Sequence, residues 1–210
     1  MVGNMTVSGE LTADRIIAAG RQLIMRRGYN GFSYADVADA INIRKASIHH
    51  HFPAKTDLVI AVLNAWQEAL DADVAALEAS GADAIAQLRA YIGHWERCIA
   101  DDTAPFCVAG MLGAELPSLP EEVAQGVKTF FDKLTSWLER VLEAGVKGDL
   151  IKLDSSVHAE AATLVSLVYG AMLAARAYAN VELFKQVTEG AVERLTKPRK
   201  RTRPTRQAIE

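Results

Sequence analysis

The chain has 210 residues, half of them hydrophobic, which is enough to bury a substantial core as one large domain or two small ones. Its net charge of −3 hides an uneven distribution. Residues 1–60 carry seven Lys/Arg against five Asp/Glu, residues 61–196 ten against twenty, and residues 197–210 six against one. Two cysteines exclude a disulfide scaffold, and the lack of alternating β-branched runs argues against strands, so the composition predicts an all-α cytoplasmic chain with free thiols.

No basic stretch followed by an apolar core opens the sequence, so no leader peptide is expected. The longest apolar stretch, 161–175, is broken by Thr163, Ser166 and Gly170 and is short for a bilayer, so no membrane partner is expected either.

In chain order, Thr12 reads as the cap of a first helix with Asp14 in its opening turn. Ile16 and Leu23, and Ile17 and Ile24, recur seven residues apart on one face, and Arg26-Arg27-Gly28 reads as its end. Ser33, with Asp36 three residues later, predicts a capped short helix running to Ala40. Asn42, a residue that tolerates positive φ, sits where the chain must turn. A short cationic helix follows, and Pro53 marks the entry to the next element. Two short helices across a three-residue turn, the second one basic, form a helix-turn-helix with Phe32, Val37, Ile41 and Ile48 as its core. Residues 41–55 hold three cations, three histidines and no acid, a composition suited to a phosphate backbone.

A long helix is predicted from Lys55 to Ser80, with Val59, Val62, Trp66, Leu70, Val74 and Leu77 on one stripe. After Gly81 another shows Ile85, Leu88, Ile92, Trp95 and Ile99. A short element spans Pro105 to Gly113, and Leu116 to Pro120 is a break. A long helix begins at Glu121, turns Val123, Val127, Phe130, Leu134, Leu138 and Val141 inward, and ends at Gly145. Asp154 or Ser155 caps an almost wholly apolar helix reaching about Ala179, and a last helix covers 182–195. The total is about nine helices. The domains divide as 1–54 (helix-turn-helix), 55–196 (helical) and 197–210, a proline-punctuated basic tail expected to be disordered.

The segment from Ile41 to Leu58 resembles the signature of the tetracycline-repressor (TetR) family, which typically reads AGVS-K-G-T-L-Y-H-H-F-x-S-K-E-x-L. Lys45, Ser47, Ile48, His50, His51, Phe52, Lys55 and Leu58 fit it. Asn42 and Ala46 stand where glycine is usual, Arg44 and Ala54 where serine is usual, and His49 where tyrosine is usual. The resemblance implies an N-terminal DNA-binding domain joined to a helical domain that binds a ligand, and a homodimer built from the last two helices of each subunit. Independently, an all-apolar helix such as 157–179 belongs either in the core or at a subunit interface. Ala161, Ala162, Ser166, Gly170, Ala171, Ala174 and Ala175 would let a partner helix approach closely.

The expected partner is therefore a double-stranded DNA operator, near-palindromic to match a two-fold dimer. Arg44 and Lys45 are candidates for base edges, Arg44 above all for guanine. Ser33, Tyr34, Ser47, His50 and Lys55 are candidates for phosphates, with His49 beside them. Consecutive helical residues point about 100° apart, so His49, His50 and His51 cannot close on one ion, and His94 and His158 add no ligand spacing. No metal or cofactor is expected. No Gly-rich phosphate loop, nucleophile elbow or HExxH motif occurs, so no enzyme is expected.

Trp66, Tyr91, His94, Trp95, Met111, Phe130, Phe131 and Tyr169 lie on the middle helices, either as ordinary core or as the wall of a small-molecule pocket. Tyr91, His94 and Cys98 fall on one stripe and would bring polar tips into the bundle. The stretch from Phe106 to Leu116 is similar to the Gly-Cys-Leu segment of a TetR branch that includes repressors answering electrophiles and acrylate-type compounds. There Cys107 is either a sensor or a small buried hydrophobe, with Phe106 in place of the glycine and no cation adjacent in sequence. Three readings follow: a repressor released by a small-molecule inducer, a repressor triggered covalently at Cys107, or a helical protein-interaction module without DNA binding.

Overall fold

The computed structural model describes residues 3–196, with side chains from Leu11 onward; the basic tail at 197–210 and its expected disorder lie outside the described residues. Among these residues the chain forms α1 (Gly3–Arg27), α2 (Tyr34–Ile41), α3 (Lys45–His51), α4 (Lys55–Ala79) and α5 (Ala84–Ala100), followed by α6 (Val108–Ala114), α7 (Glu121–Lys147), α8 (Val157–Tyr178) and α9 (Val181–Leu195). A 3-10 turn covers Leu116–Ser118, and a single antiparallel bridge joins Ile151 to Thr196.

Local chemistry explains the ends. Gly28 takes φ +74° just beyond α1, and Asn42 takes φ 53° to close α2, both in the left-handed region. The Asp36 carboxylate accepts from the Ser33 N–H and from its hydroxyl, each at 2.7 Å, and pairs with Arg27 at 3.0 Å. The Ser33 hydrogen bonds, helped by Arg27, hold that carboxyl below its ordinary range.

Three expected boundaries move. Thr12 does not start α1 but lies within it, because α1 begins at Gly3 and no proline precedes Thr12. Gly145 does not end α7, which runs on to Lys147. It is a place of close approach instead: a Cβ there would stand 2.4 Å from Ile151 Cδ1 and 2.9 Å from Ala84 Cβ. The cap of α8 is Ser156, which accepts from the Ala159 N–H at 3.2 Å. Ser155 is drawn away to donate to Glu160 at 3.1 Å, and Asp154 stands 3.7 Å from Arg194.

The core is continuous from one end of the molecule to the other. Ile16 and Ile24 of α1 pack with Val37, Ile48, Leu58 and Val62, and α7 carries the core onward through Val127, Leu134, Leu138 and Leu142. In α8, length and composition alone would allow a membrane span, but the stripe Leu164, Val168, Ala171, Met172 and Ala175 is buried against neighbouring helices. Its other side, with Ala162, Ser166, Gly170 and Leu173, is exposed. Near its start Glu160 is buried and takes a hydrogen bond from Arg194 at 2.9 Å.

Two side chains tie the N-terminal helices to the rest. Arg176 on α8 donates to the carbonyls of Met25 at 3.1 Å and Arg26 at 3.0 Å, and stacks over Phe106 at 5.7 Å. Glu115, just past α6, accepts from the backbone N–H of Tyr29 and from the Asn30 N–H and side-chain amide, the last two at 3.3 Å.

Candidate nucleic-acid interface and interior cavity

The turn between α2 and α3 presents Arg44 in extended backbone as the cap of α3, with Lys45 in its first turn. Both side chains are exposed, and neither makes a hydrogen bond or ion pair among the described residues. His49 and His50 are exposed and Ser47 half-buried, so this end carries positive charge and polar groups open to solvent, while the exposed Ser33 spends its hydroxyl proton on Asp36. His49 keeps its orientation through a contact from Nδ1 to the Pro53 carbonyl at 3.3 Å and an edge-to-face packing on Tyr34 at 4.8 Å.

Two of the expected phosphate contacts face inward. Tyr34 is buried, and its hydroxyl donates to the carbonyls of Phe52 at 2.8 Å and Ala54 at 2.6 Å. Burial, helped by nearby Asp57, pushes this phenol up to about 12. Lys55 is half-buried; its ammonium donates to the carbonyls of Tyr29 and Phe32 and sits over the Phe32 ring at 4.1 Å. Burial lowers its pKa. Both residues brace the loop that positions α3. Sequence chemistry marks them as able to bind phosphate, but the backbone carbonyls around them claim those groups first.

The other end holds a cavity of about 410 Å³ between α4, α5, α7 and α8. Trp66, Tyr91, His94, Trp95, Phe130 and Tyr169 line it. Met111 and Phe131 do not. They wall a separate open groove of about 1100 Å³ between α6, α7 and α8, and Tyr169 stands between the two spaces. Cys98 and Cys107 line neither. Cys98 lies half-buried 3.6 Å from His94 Nε2. Cys107 is fully buried and accepts from the Tyr169 hydroxyl at 3.1 Å. Burial pushes its thiol up, against the pull of that hydrogen bond.

Trp137, which the sequence pattern does not single out, also lines the cavity, three residues after Leu134 and seven after Phe130 on the inward face of α7. The C-terminal half of α4 explains a further difference. Leu58, Val59, Val62 and Leu63 are buried, whereas Trp66, Leu70, Val74 and Leu77 on the same stripe are only half-buried because they face the cavity. Among the described residues no three His, Cys, Asp or Glu are grouped to hold a metal ion.

Comparison with known proteins agrees with this geometry. Residues 16–62 match the family model of bacterial regulatory proteins of the tetR family, and residues 84–191 match the tetracyclin repressor-like C-terminal domain. A TetR-family transcriptional regulator from Agrobacterium tumefaciens, known from its crystal structure, is 44% identical and superposes with a TM-score of 0.88, covering 90% of this chain and all of that one. The HTH-type transcriptional repressor KstR2 of Rhodococcus jostii is 31% identical over 71% of this chain and 72% of its own length. The HTH-type transcriptional repressor NemR of Escherichia coli is 24% identical over 79% of this chain and 84% of its own. With a helix-turn-helix open to solvent at one end and a helical body at the other, the chain belongs to the TetR family and is a DNA-binding transcriptional regulator.

Proposed function

We propose that a homodimer of this chain occupies a near-palindromic operator through α3, represses there, and leaves when a small molecule fills the interior cavity. The observation that carries this reading is α4. Its first half packs Leu58 and Val62 against α1 at Gly20, with Lys55 on the carbonyls of the loop that leads into the helix-turn-helix, and its second half walls the cavity, so a tilt of one helix registers at both ends. A ligand acts only by binding the DNA-free arrangement better than the DNA-bound one. The dimer face in this reading is the outer side of α8 and α9, where Leu173 is 60% exposed and Gly170 and Gly190 have open space at the Cβ position. As a regulator of bacterial genes the protein would act in the cytoplasm, with no catalytic step of its own.

Reversible occupancy is favoured over covalent triggering at Cys107, because the thiol has no exposed surface and burial disfavours the thiolate that would react. The acid-free segment 41–55, whose Arg44 and Lys45 remain unengaged, favours DNA over a protein partner. The test is selection from random duplexes followed by fluorescence anisotropy on the enriched site. Enrichment of a two-fold symmetric sequence is expected; no sequence preference at all would overturn the reading.

A further inference from the structure

Three residues that line the interior cavity carry buried donors that meet no full hydrogen-bond geometry among the described residues: the Tyr91 hydroxyl and the indole N–H groups of Trp95 and Trp137, with the Trp95 indole near enough to the Tyr91 hydroxyl to favour its ionised form. Their residues are 9%, 4% and 3% exposed. They are neighbours. The Tyr91 and Trp137 rings meet edge to face with centroids 5.5 Å apart, and Trp95 follows Tyr91 by one turn of α5. A buried donor without an acceptor costs about 1–3 kcal/mol, and a protein core rarely keeps several in one place. Leu70, Val74, Phe130 and Leu134 add apolar surface to the wall. The charged lining residues, Asp73 and Arg97, are exposed to solvent, as is His94.

We propose that the cavity selects an uncharged, flat, largely apolar molecule that presents a carbonyl oxygen to Tyr91, Trp95 and Trp137. The proposal rests on the reading of this cavity as the effector site and names the chemistry that the site accepts. A carbonyl oxygen has two lone pairs and asks for donors without bringing a charge. A carboxylate or phosphate would have to leave water for a space whose buried lining is aromatic and aliphatic, while the lining cation Arg97 is itself exposed to solvent. An ammonium group would find ring faces to attract it, but the buried donors of Tyr91, Trp95 and Trp137 offer it no acceptor to pair with, and the lining carboxylate, Asp73, is exposed to solvent. The wall is thus matched to an acceptor and mismatched to either sign of charge.

The test uses the full-length protein and four probes on one skeleton: 2-acetonaphthone, 2-ethylnaphthalene, 2-naphthoate and 2-naphthyltrimethylammonium. Affinities come from calorimetric titration, and the indole N–H resonances of Trp95 and Trp137 are followed by NMR. The ketone is expected to bind about tenfold tighter than the hydrocarbon, and both charged probes no better than the hydrocarbon. The two indole protons should move downfield with the ketone alone. Tyr91→Phe, which keeps the ring, should shrink the ketone's advantage and leave 2-ethylnaphthalene unchanged. A ketone no tighter than the hydrocarbon, a charged probe tighter than the ketone, or no binding by any of the four overturns the proposal. Operator release is read separately by anisotropy. A ketone that binds as described while the DNA complex persists upholds the ligand chemistry and overturns the effector reading.

Discussion

The guanidinium of Arg176 hydrogen-bonds the backbone carbonyl of Met25 at 3.1 Å, so the end of α8 caps the end of α1 across most of the sequence. The same side chain lies over Phe106 and lines the groove between α6, α7 and α8. A cation at a helix C-terminus is favourable both for the free carbonyls and for the helix dipole. Arg176→Ala should therefore cost about 1–2 kcal/mol in thermal melts and speed hydrogen exchange at Gly28–Gly31. Unchanged exchange there would mean that the contact contributes nothing to holding the N-terminal helices in place.

On the DNA side, Arg44→Ala should weaken binding to the selected operator by about 1–3 kcal/mol, with little change on unrelated duplexes, if its guanidinium reads a base. Lys45→Ala separates the two roles of a cation: a base contact behaves as Arg44 does, whereas a phosphate contact weakens all duplexes alike and flattens the salt dependence. Lys55→Ala should behave differently from both, lowering stability by about 1–3 kcal/mol, because its ammonium holds the carbonyls of Tyr29 and Phe32. Anisotropy titrations at several salt concentrations, beside thermal melts, distinguish these outcomes.

Assembly can be probed without disturbing the subunit. A Cβ at Gly170 meets nothing within 4 Å, so Gly170→Glu has room in the folded chain. The variant should melt as the wild type does at the level of secondary structure, yet sediment as a monomer and lose operator affinity, because an unpaired charge at an interface costs several kcal/mol. A wild-type dimer from this variant would place the interface elsewhere.

The two thiols should differ in reactivity. Cys107 is fully buried with its thiol pushed up, whereas Cys98 is half-buried. N-ethylmaleimide at neutral pH should modify Cys98 first, with Cys107 reacting only as the protein opens, as read by mass spectrometry of peptides over time. Prompt labelling of Cys107 would revive the covalent trigger.

Acid should act through Glu160. Hydrogen bonds from Arg194, opposed in part by burial, hold this carboxyl below its ordinary value of 4.5. A carboxyl lowered by folding contributes stability that is fully present above its unfolded value and lost as pH falls through the folded one. The wild type should lose stability below about pH 4.5, while Glu160→Gln should start about 1–3 kcal/mol less stable at pH 7 and show a shallower acid limb. Urea melts between pH 3 and 7 compare the two slopes.

The sequence made the helix-turn-helix legible because its punctuation is chemical: Ser33 with Asp36 at the start, Asn42 at the turn and Pro53 at the exit each act locally. The direction of a side chain does not. Tyr34 and Lys55 have groups that bind phosphate, and only the placement of the Phe52, Ala54, Tyr29 and Phe32 carbonyls reveals that those groups are already taken. Gly145 looked like a stop because glycine often is one, yet its reason is Ile151 and Ala84, brought to it by tertiary packing. The pocket was half legible. Periodicity placed Trp66, Tyr91 and Phe130 on inward stripes, but a stripe facing a cavity and a stripe facing a neighbour carry the same pattern. It could not tell that Met111 and Phe131 belong to a different space.

Tyr169 is the wall between the interior cavity and a groove that runs out to Gly170 and Leu173 on the exposed side of α8. In the dimer proposed above, a ring shared by the binding space and the pairing surface would make the two equilibria reciprocal: whatever turns it for one would change the free energy of the other by the same amount. Ligand affinity would then be a function of protein concentration, differing between dilute and concentrated samples across the range where subunits pair. In a cell, the dose needed to switch genes would depend on how much regulator is present, beyond simple titration of sites.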